Sequence, residues 1–460
     1  MEKQTAQSIS VLFARGARRV TGSNFLIEAK NGTVTTRILI DCGLAQGEHF
    51  AESVNAEKFS YDPASVDAIF FTHAHADHIG LFPKLVKDGF RGKAYATAPT
   101  RALLAPMLED SQHIAADEAK RNHDEPPYSA EDVAKAVSLV AELPYHETIH
   151  VSPDVSVTLY NAGHIIGSAS AAIDAFGKRL VFTGDLGRVP AAMVPDREVP
   201  EKIDYLFMES VYGDRVHEPI AASVEMLKRV VEDVKKKNGV LLIPAFSLER
   251  TQIILSNLDT MFSKGDSTMP VYLDSPLAAK VTAIYEQYPQ FLREDVRTRM
   301  EKGDDPFSFP SLHITRNVSE SQGADKAPAP KVIIAGSGMS HGGRIMAHEA
   351  RYLPEKSTTL LLSGYQAAGS LGRRIQDGAT EVQINGASVA VHAEIKTLSG
   401  FSAHADRNDL MSYVEAAKPK KVFVILGETQ SSAFIAQRIQ GFLGIPTDVP
   451  REGETIQLPV

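Results

Sequence analysis

The chain has 460 residues with a formal net charge of -9, and 43% of its residues are hydrophobic. This length allows two or three domains with their own cores, and the acidic balance excludes a global basic field that would draw the protein onto polyanions. The single cysteine, Cys42, excludes an internal disulfide and a zinc site built on thiolates. The polar start and the lack of a long apolar run lead us to expect a soluble, cytoplasmic protein.

Short β-rich runs, bounded by turn residues, occupy the first part of the chain. Strands are predicted at residues 9–13, 24–28, 37–40 and 66–71, and again at 155–160, 170–175 and 179–182. Helical periodicity lies between them, at 100–121 and 130–139. Strands that end in polar residues, with helices between them, predict a layered α/β domain.

From about residue 205 the pattern changes to alternating strands and helices, which predicts a parallel α/β unit. Its strands are expected at 205–208, 240–243 and 271–273, and its helices at 219–237 and 250–262. Residues 319–330 are rich in Ser, Gly, Ala and Pro, so we predict a loop there.

A dense group of metal-binding side chains follows the apolar run 68–71, where residues 72–78 read THAHADH. Neutral imidazole and carboxylate groups bind first-row metals, and in an extended chain His73 and His75 point to the same side. Once the chain turns into a helix, Asp77 and His78 can face a second position. A chance surface cluster is the alternative, but other segments supply the ligands that this one lacks.

Those segments each place one polar residue after an apolar strand and beside glycines: Asp41, His164 and Asp185. Glycine lets the backbone come close to a metal or a substrate. Taken singly, each of the three is more typical of a turn. Together with the histidine cluster they complete a metal site.

The HAHADH segment at 73–78 resembles the signature of the metallo-β-lactamase superfamily. Further segments resemble its β-CASP branch of nucleic-acid-processing nucleases, which includes the pre-mRNA 3′-end endonuclease and bacterial and archaeal ribonucleases. In chain order they are VTGS at 20–23, ESVYGDR at 209–215, IPAF at 243–246, DSPLA at 274–278, GSGM at 336–339, GYQ at 364–366 and SGFSAHAD at 399–406. The resemblance covers about residues 10–430.

This resemblance implies an α/β fold: a metallo-β-lactamase αββα sandwich with an inserted parallel α/β β-CASP cap domain. It divides the chain into residues 1–206, the first part of the metallo-β-lactamase domain, 207–394, the insertion, and 395–460, the C-terminal part. It also implies two zinc ions. The implied ligands are His73, His75 and His164 for the first, Asp77 and His78 for the second, and Asp185 as a bridge.

Roles in catalysis come from the same resemblance. Asp41 is expected to orient a ligand imidazole through its second ring nitrogen. Asp77, Glu209 and His404 form the catalytic set, in which His404 donates a proton to the leaving oxygen and Glu209 orients and charges it. Two metals would activate water and clamp the phosphate, which gives a 5′-phosphate and a 3′-hydroxyl as products.

A glycine-rich segment after the apolar run 332–335 is expected to hold a substrate phosphate through backbone amides and hydroxyls. Its residues are Ser337, Gly338, Met339, Ser340 and His341. His341 stands where the family more often has Ser or Thr.

Two positions depart from the family pattern. Glu249 replaces a residue that is usually glycine, which would add a carboxylate near the site. Leu426 stands where the RNA-cleaving members carry a histidine directly before Gly-Glu. Since leucine cannot bind a metal, we expect the second zinc to be held weakly.

The sequence thus predicts a zinc-dependent ribonuclease that acts on single-stranded RNA, without a membrane partner; a homodimer is left open. A DNA nuclease of the same family is the first alternative, because the DNA-acting members have an aliphatic residue at the place of Leu426. A non-catalytic scaffold or RNA-binding subunit is the second, and a small-molecule hydrolase of the wider superfamily is the third.

Overall fold

The computed structural model describes residues 7–47, 51–263, 269–366 and 369–460. The chain folds as two compact units. Unit 1 consists of Met1–Val216 and His404–Val460, and unit 2 consists of His217–Ala403. Unit 2 is therefore an insertion in the chain of unit 1.

The strands of the described residues are, in chain order, β1 (Gln7–Arg15), β2 (Asn24–Asn31), β3 (Val34–Ile40), β4 (Ala68–Phe70), β5 (Lys93–Ala96), β6 (Val140–Glu142), β7 (Thr148–Ser152), β8 (Val155–Asn161), β9 (Ala169–Ala175), β10 (Lys178–Phe182), β11 (Tyr205–Met208), β12 (Val240–Pro244), β13 (Val271–Asp274), β14 (Leu312–Ile314), β15 (Lys331–Ala335), β16 (Thr359–Leu362), β17 (Glu381–Ile384), β18 (Ala387–Ala390), β19 (Glu394–Thr397), β20 (Lys421–Val424), β21 (Thr447–Asp448) and β22 (Thr455–Leu458).

The α-helices are α1 (Ala51–Ala56), α2 (Ala76–Ile79), α3 (Phe82–Lys87), α4 (Ala98–Asn122), α5 (Ala130–Ser138), α6 (Ile220–Lys236), α7 (Arg250–Ser263), α8 (Pro276–Gln287), α9 (Glu294–Glu301), α10 (Val318–Lys326), α11 (Ile345–Tyr352), α12 (Leu371–Gln376), α13 (Arg407–Ala417) and α14 (Thr429–Arg438). Short 3-10 turns lie at Pro63–Ser65 and Pro289–Phe291, and a π-helical turn at Ile439–Leu443. None of the described helices has the length and apolar character that a membrane crossing requires.

Two mixed sheets form the framework of unit 1, each with seven strands in the described residues. The first has the order β22-β1-β2-β3-β4-β5-β6, and the second β21-β20-β11-β10-β9-β8-β7. In both sheets one half is parallel: β3 to β6 in the first, and β10, β11, β20 and β21 in the second. These parallel halves place several carboxyl ends of strands at one edge of each sheet.

The two sheets of unit 1 share a single apolar core. Alternate residues of both sheets point into it, as expected when two faces must be buried against each other. Phe207 lies at its centre, stacked on Phe182 with ring centroids 4.2 Å apart and on Phe423 with centroids 4.9 Å apart. On the other face of the second sheet, α13 and α14 bury their apolar residues. The αββα sandwich predicted from the sequence is confirmed.

Unit 2 contains an all-parallel sheet with the order β14-β13-β15-β12-β16-β19 in the described residues. Its central strands are buried along their whole length, and such runs are typical of parallel sheets that helices cover on both faces. The parallel α/β insertion is therefore confirmed as well. A separate hairpin of β17 and β18 completes the unit.

The ends of the insertion differ from the expected 207–394. Strand β11 pairs with β10 and β20, so it belongs to the second sheet of unit 1. Strand β19 pairs with β16, so it belongs to the parallel sheet of unit 2. Both boundaries are set by pairing between strands that lie far apart in the sequence, and such pairing cannot be predicted from the local pattern of residues.

The loop predicted at 319–330 is wrong over most of its length, because α10 spans Val318–Lys326. Asn317 caps its first turn, with the side chain accepting a hydrogen bond from the Glu320 amide. The buried Lys331 ammonium donates to three carbonyl oxygens at the other end of the helix. These two caps satisfy the helix ends and outweigh a composition that is poor in helix formers.

We predict that Phe207→Ala lowers the apparent free energy of unfolding by about 3–5 kcal/mol, because it removes the central ring of a buried stack and leaves a cavity. Urea unfolding followed by circular dichroism measures the change. Phe442→Ala is the control, because that ring is 71% exposed and its loss should cost less than about 1 kcal/mol. Equal losses in the two variants would contradict this description of the core.

Candidate metal centre

The predicted metal-binding residues come together in unit 1 at the carboxyl ends of its strands. Asp41 follows β3, and the segment that starts at Thr72 follows β4. His164, Asp185 and Glu209 come directly after β8, β10 and β11 or within a few residues of their ends. Ligand sites of α/β sheets are typically found at this end of the strands.

Three imidazoles converge on one point. The Nε2 atom of His73 lies 3.0 Å from the Nδ1 atom of His75, and His164 Nε2 lies 3.4 Å from the same Nδ1 atom. Asp185 Oδ2 lies 3.5 Å from His73 Nε2 and 3.7 Å from His164 Nε2. Ligand atoms around a tetrahedral zinc ion lie about 3.3 Å apart, because each zinc–nitrogen bond is about 2.0–2.1 Å long. These four side chains therefore fit a zinc ion.

Burial keeps these three histidines neutral, which is the form that binds a metal. It lowers the pKa of His75 to about 3 and holds the pKa values of His73 and His164 well below the usual range. A neutral imidazole has one donor and one acceptor nitrogen, so three rings whose nitrogens converge on one point cannot all satisfy one another by hydrogen bonds. The chemistry of the donor set thus agrees with its geometry.

A second group of donors lies on the other side of Asp185. Its Oδ1 atom is 3.5 Å from His78 Nε2, and His78 Nε2 is 3.9 Å from Asp77 Oδ2. Both His78 Nε2 and Asp185 Oδ1 are buried and have no hydrogen-bond partner within the described residues. Two buried polar atoms that face each other unsatisfied are costly, and a cation between them would satisfy both.

Asp41 fixes the orientation of His78. Its Oδ2 atom lies 2.7 Å from His78 Nδ1 and also accepts hydrogen bonds from the hydroxyl groups of Ser23 and Thr72. Its Oδ1 atom accepts from the Thr72 amide. Since Nδ1 of His78 faces a carboxylate, Nε2 is left for the metal side. The sequence did not single out Ser23 or Thr72 for this role, although Ser23 ends the VTGS segment at 20–23 and Thr72 directly precedes the HAHADH segment.

Close backbone packing holds the His78 segment in place. The amide of Ser23 donates to the carbonyl oxygen of Asp77 at 2.8 Å, and the amide of Cys42 donates to that of His78 at 2.8 Å. A Cβ atom on Gly43 would lie 1.6 Å from the Asp77 carbonyl oxygen. Glycine at this position is therefore required by space, since any side chain would push the Asp77 segment away.

His404 and Glu209 form a pair beside Asp185. Glu209 is fully buried, and its carboxylate accepts hydrogen bonds from the amides of Leu186 and Val211. His404 Nδ1 lies 3.6 Å from Glu209 Oε1 and 3.9 Å from Asp185 Oδ2. Burial lowers the pKa of His404, but the carboxylates of Glu209 and Asp185 outweigh burial and raise it above the usual value.

The glycine-rich loop lies in unit 2, between β15 and α11. Ser337 and Met339 are half-buried and His341 is exposed, whereas Gly338 and Ser340 are buried. The Ser337 hydroxyl accepts a hydrogen bond from the His341 amide, which closes the loop on itself. The Ser340 hydroxyl donates a hydrogen bond to the buried carboxylate of Glu349, so this hydroxyl does not face a substrate.

Both departures from the family pattern have a local explanation. Glu249 has a backbone φ of 64°, in the left-handed region that favours glycine. Its side chain is buried, where it accepts a hydrogen bond from Tyr285, so it does not present a carboxylate to a substrate. Leu426 is 1% exposed and belongs to the apolar core of unit 1, next to Gly16 and Phe25.

We predict that Asp41→Asn lowers zinc affinity by about 10–100-fold, because an amide cannot accept hydrogen bonds at both of its terminal atoms and His78 loses its fixed orientation. Competition with a coloured chelator measures the affinity. Asp154→Asn is a matched control, since Asp154 is an exposed residue of unit 1. Equal zinc affinities in Asp41→Asn and the control would show that Asp41 does not support metal binding.

Comparison with known families agrees with this description. The chain matches a metallo-beta-lactamase superfamily domain over residues 31–186, a Beta-Casp domain over 251–375, and a Zn-dependent metallo-hydrolase RNA specificity domain over 388–450. A crystal structure of a protein of unknown function from Enterococcus faecalis V583 shares the fold, with a TM-score of 0.56 at 15% identity, and the match covers 98% of this chain and all of that one.

Characterised relatives are similar over most of their length. Ribonuclease TTHA0252 of Thermus thermophilus is 36% identical over 408 residues, which cover 89% of this chain and 91% of the relative. Transcription termination factor FttA of Methanocaldococcus jannaschii is 32% identical over 468 residues, which cover 98% of this chain and 72% of the relative. The chain therefore belongs to the β-CASP branch of the metallo-β-lactamase superfamily, a family of zinc-dependent metallo-hydrolases with an RNA specificity domain.

Proposed function

We propose that this protein is a zinc-dependent ribonuclease that hydrolyses the phosphodiester bonds of RNA. The observation that carries the proposal is the arrangement around Asp185. One carboxylate oxygen faces three neutral imidazoles, the other faces His78, and the His404–Glu209 pair lies beside it. Metal ligands and a proton donor are the two kinds of group that phosphodiester hydrolysis requires.

Two zinc ions would be held by these side chains. His73, His75, His164 and Asp185 would hold the first, and Asp77, His78 and Asp185 the second. When bound, zinc activates water for attack and offsets the negative charge on the phosphoryl oxygens. Asp185 would belong to both sites, and Asp41 would keep His78 in the orientation that the second site needs.

Protonation of the leaving group is assigned to His404. Its Nδ1 atom faces Glu209 and Asp185, so the positively charged imidazolium is favoured and Nε2 is left to donate a proton. The His404 side chain is 23% exposed, so it can reach a substrate. Proton transfer to the 3′-oxygen as it leaves gives a 3′-hydroxyl and a 5′-phosphate.

RNA is favoured over DNA as the substrate because the match at residues 388–450 is to an RNA specificity domain and one relative is named a ribonuclease. The aliphatic Leu426 remains the argument for DNA. A non-catalytic scaffold is disfavoured, because the predicted first-zinc ligands and the His404–Glu209 pair are all present and close together. We propose that the enzyme acts on single-stranded RNA in the cytoplasm.

We predict that Asp77→Ala and His404→Ala each lower the rate of RNA cleavage by at least about 100-fold while the fold survives, because one loses a metal ligand and the other the proton donor. Cleavage of end-labelled RNA measures the rate, and circular dichroism checks the fold. His113→Ala is the control, since that histidine is exposed on α4. Cleavage at the wild-type rate in either active-site variant would mean that the activity belongs to other residues.

We predict that the wild-type protein binds one zinc tightly and a second weakly, and that Leu426→His raises the zinc content toward two per chain. The family resemblance implies a histidine ligand at this position, and the change would restore it. In the metal-free protein the same change should cost about 1–3 kcal/mol, because an imidazole replaces methyl groups in the core. Elemental analysis and urea unfolding measure the two effects. A loss of stability with unchanged zinc content would show that position 426 does not reach the second site.

A further inference from the structure

The glycine-rich loop of unit 2 is joined to α11 by a buried hydrogen bond that no metal or catalytic role explains. Ser340 and Glu349 are both 0% exposed, and the Ser340 hydroxyl donates to Glu349 Oε1 at 2.5 Å. Ser340 has a φ of 56°, in the left-handed region, which costs free energy for a residue other than glycine. The hydrogen bond offsets this cost and fixes the middle of the loop.

The buried carboxyl group of Glu349 costs folding free energy at this position. Its second oxygen, Oε2, is buried and has no hydrogen-bond partner within the described residues. Burial raises the pKa of the Glu349 carboxyl to about 7. An apolar side chain at this interior position of α11 would avoid the cost of burying a carboxyl group, so stability of the helix does not account for Glu349.

Anchors also hold the end of the loop. Arg344 donates to Asp274 Oδ1 at 2.6 Å, and the same carboxylate faces His348 Nε2 at 2.7 Å. The other ring nitrogen of His348 lies 2.9 Å from Asp325 Oδ1. The loop is thus tied at its end to β13 and α11 by Arg344, Asp274 and His348, and at its middle to α11 by the hydrogen bond between Ser340 and Glu349.

The carbonyl groups of Gly338 and Met339 are directed inward. The Gln366 side chain donates to the carbonyl oxygen of Gly338 at 3.0 Å, and the amide of Gly372 donates to that of Met339 at 3.3 Å. In a trans peptide the N–H group points opposite to the carbonyl, so the Met339 amide faces away from Gln366. In this conformation the loop presents the Met339 amide to an anion. The carbonyl oxygens of Gly338 and Met339, which would repel an anion, point away from it.

We propose that Glu349 is a positioning residue, which holds the glycine-rich loop in the shape that binds a phosphate of the RNA by fixing Ser340 in the interior. Glu349 itself touches no substrate. The proposal rests on the proposed ribonuclease function, and it replaces the expectation that the Ser340 hydroxyl contacts RNA. Its effect is on binding, because the loop supplies neither a metal ligand nor the proton donor.

The test compares Ser340→Ala, Glu349→Leu and Glu349→Gln with the wild-type protein. The first two remove the hydrogen bond, so each should raise KM for single-stranded RNA by roughly threefold to tenfold, with kcat changed less than about twofold. Glutamine keeps an oxygen that can accept from Ser340, so Glu349→Gln should behave like the wild type. Glu355→Leu, at an exposed position after α11, is the control for the change from carboxylate to leucine.

RNA affinity is measured separately, by fluorescence anisotropy with the same zinc-loaded variants made in a His404→Ala background. This readout separates the two proposals. If the wild-type protein binds RNA without cleaving it, the proposed function is wrong, but the Kd values of the variants still test the role of Glu349. Threefold to tenfold increases in Kd for Ser340→Ala and Glu349→Leu, with Glu349→Gln unchanged, support the proposal. Unchanged Kd in the folded Ser340→Ala variant, equal losses in Glu349→Gln and Glu349→Leu, or no RNA binding by the wild type would each overturn it.

Discussion

A single carboxylate, that of Asp185, is the group on which the arrangement of the centre depends. It is buried, and its two oxygens face two different sets of imidazoles. A charge in such surroundings is stable only when cations or strong donors balance it. The His404 imidazole lies beside Asp185 and contributes to that balance, and the geometry of the zinc-binding rings fits a metal ion. The surrounding strands, loops and glycines can be understood as the means of bringing these groups to one carboxylate.

Rigid support for the centre comes from the sandwich of unit 1. The stacked rings of Phe182, Phe207 and Phe423 join neighbouring strands of the second sheet. The strand of Phe182 ends shortly before Asp185, and the strand of Phe207 ends directly before Glu209. On the first sheet, Asp41 receives four hydrogen-bond contacts, one of them from His78. Ligand positions are therefore fixed by the packing of the core as well as by local sequence. Buried groups also fix the glycine-rich loop of unit 2, where the carboxylates of Glu349 and Asp274 accept hydrogen bonds from Ser340 and Arg344.

Residues that follow strand ends could be predicted from the sequence, because a polar residue after an apolar run is a local signal. This is why Asp41, His73, His164 and Asp185 were found together. Features set by distant contacts could not be predicted in this way: the caps of α10, the pairing of β11 within unit 1, and the interior position of Ser340. The positive φ of Glu249, in the left-handed region that favours glycine, likewise becomes visible only in the folded backbone.

The chemical nature of the products tests the central claim most directly. We would incubate the zinc-loaded protein with end-labelled single-stranded RNA and with DNA of the same sequence, and identify the new chain ends. If water attacks the phosphorus and the 3′-oxygen leaves, each cut gives a 3′-hydroxyl on the upstream fragment and a 5′-phosphate on the downstream fragment. The account also predicts that RNA is cut faster than DNA. Fragments that end in a 2′,3′-cyclic phosphate, or faster cleavage of DNA, would contradict the account.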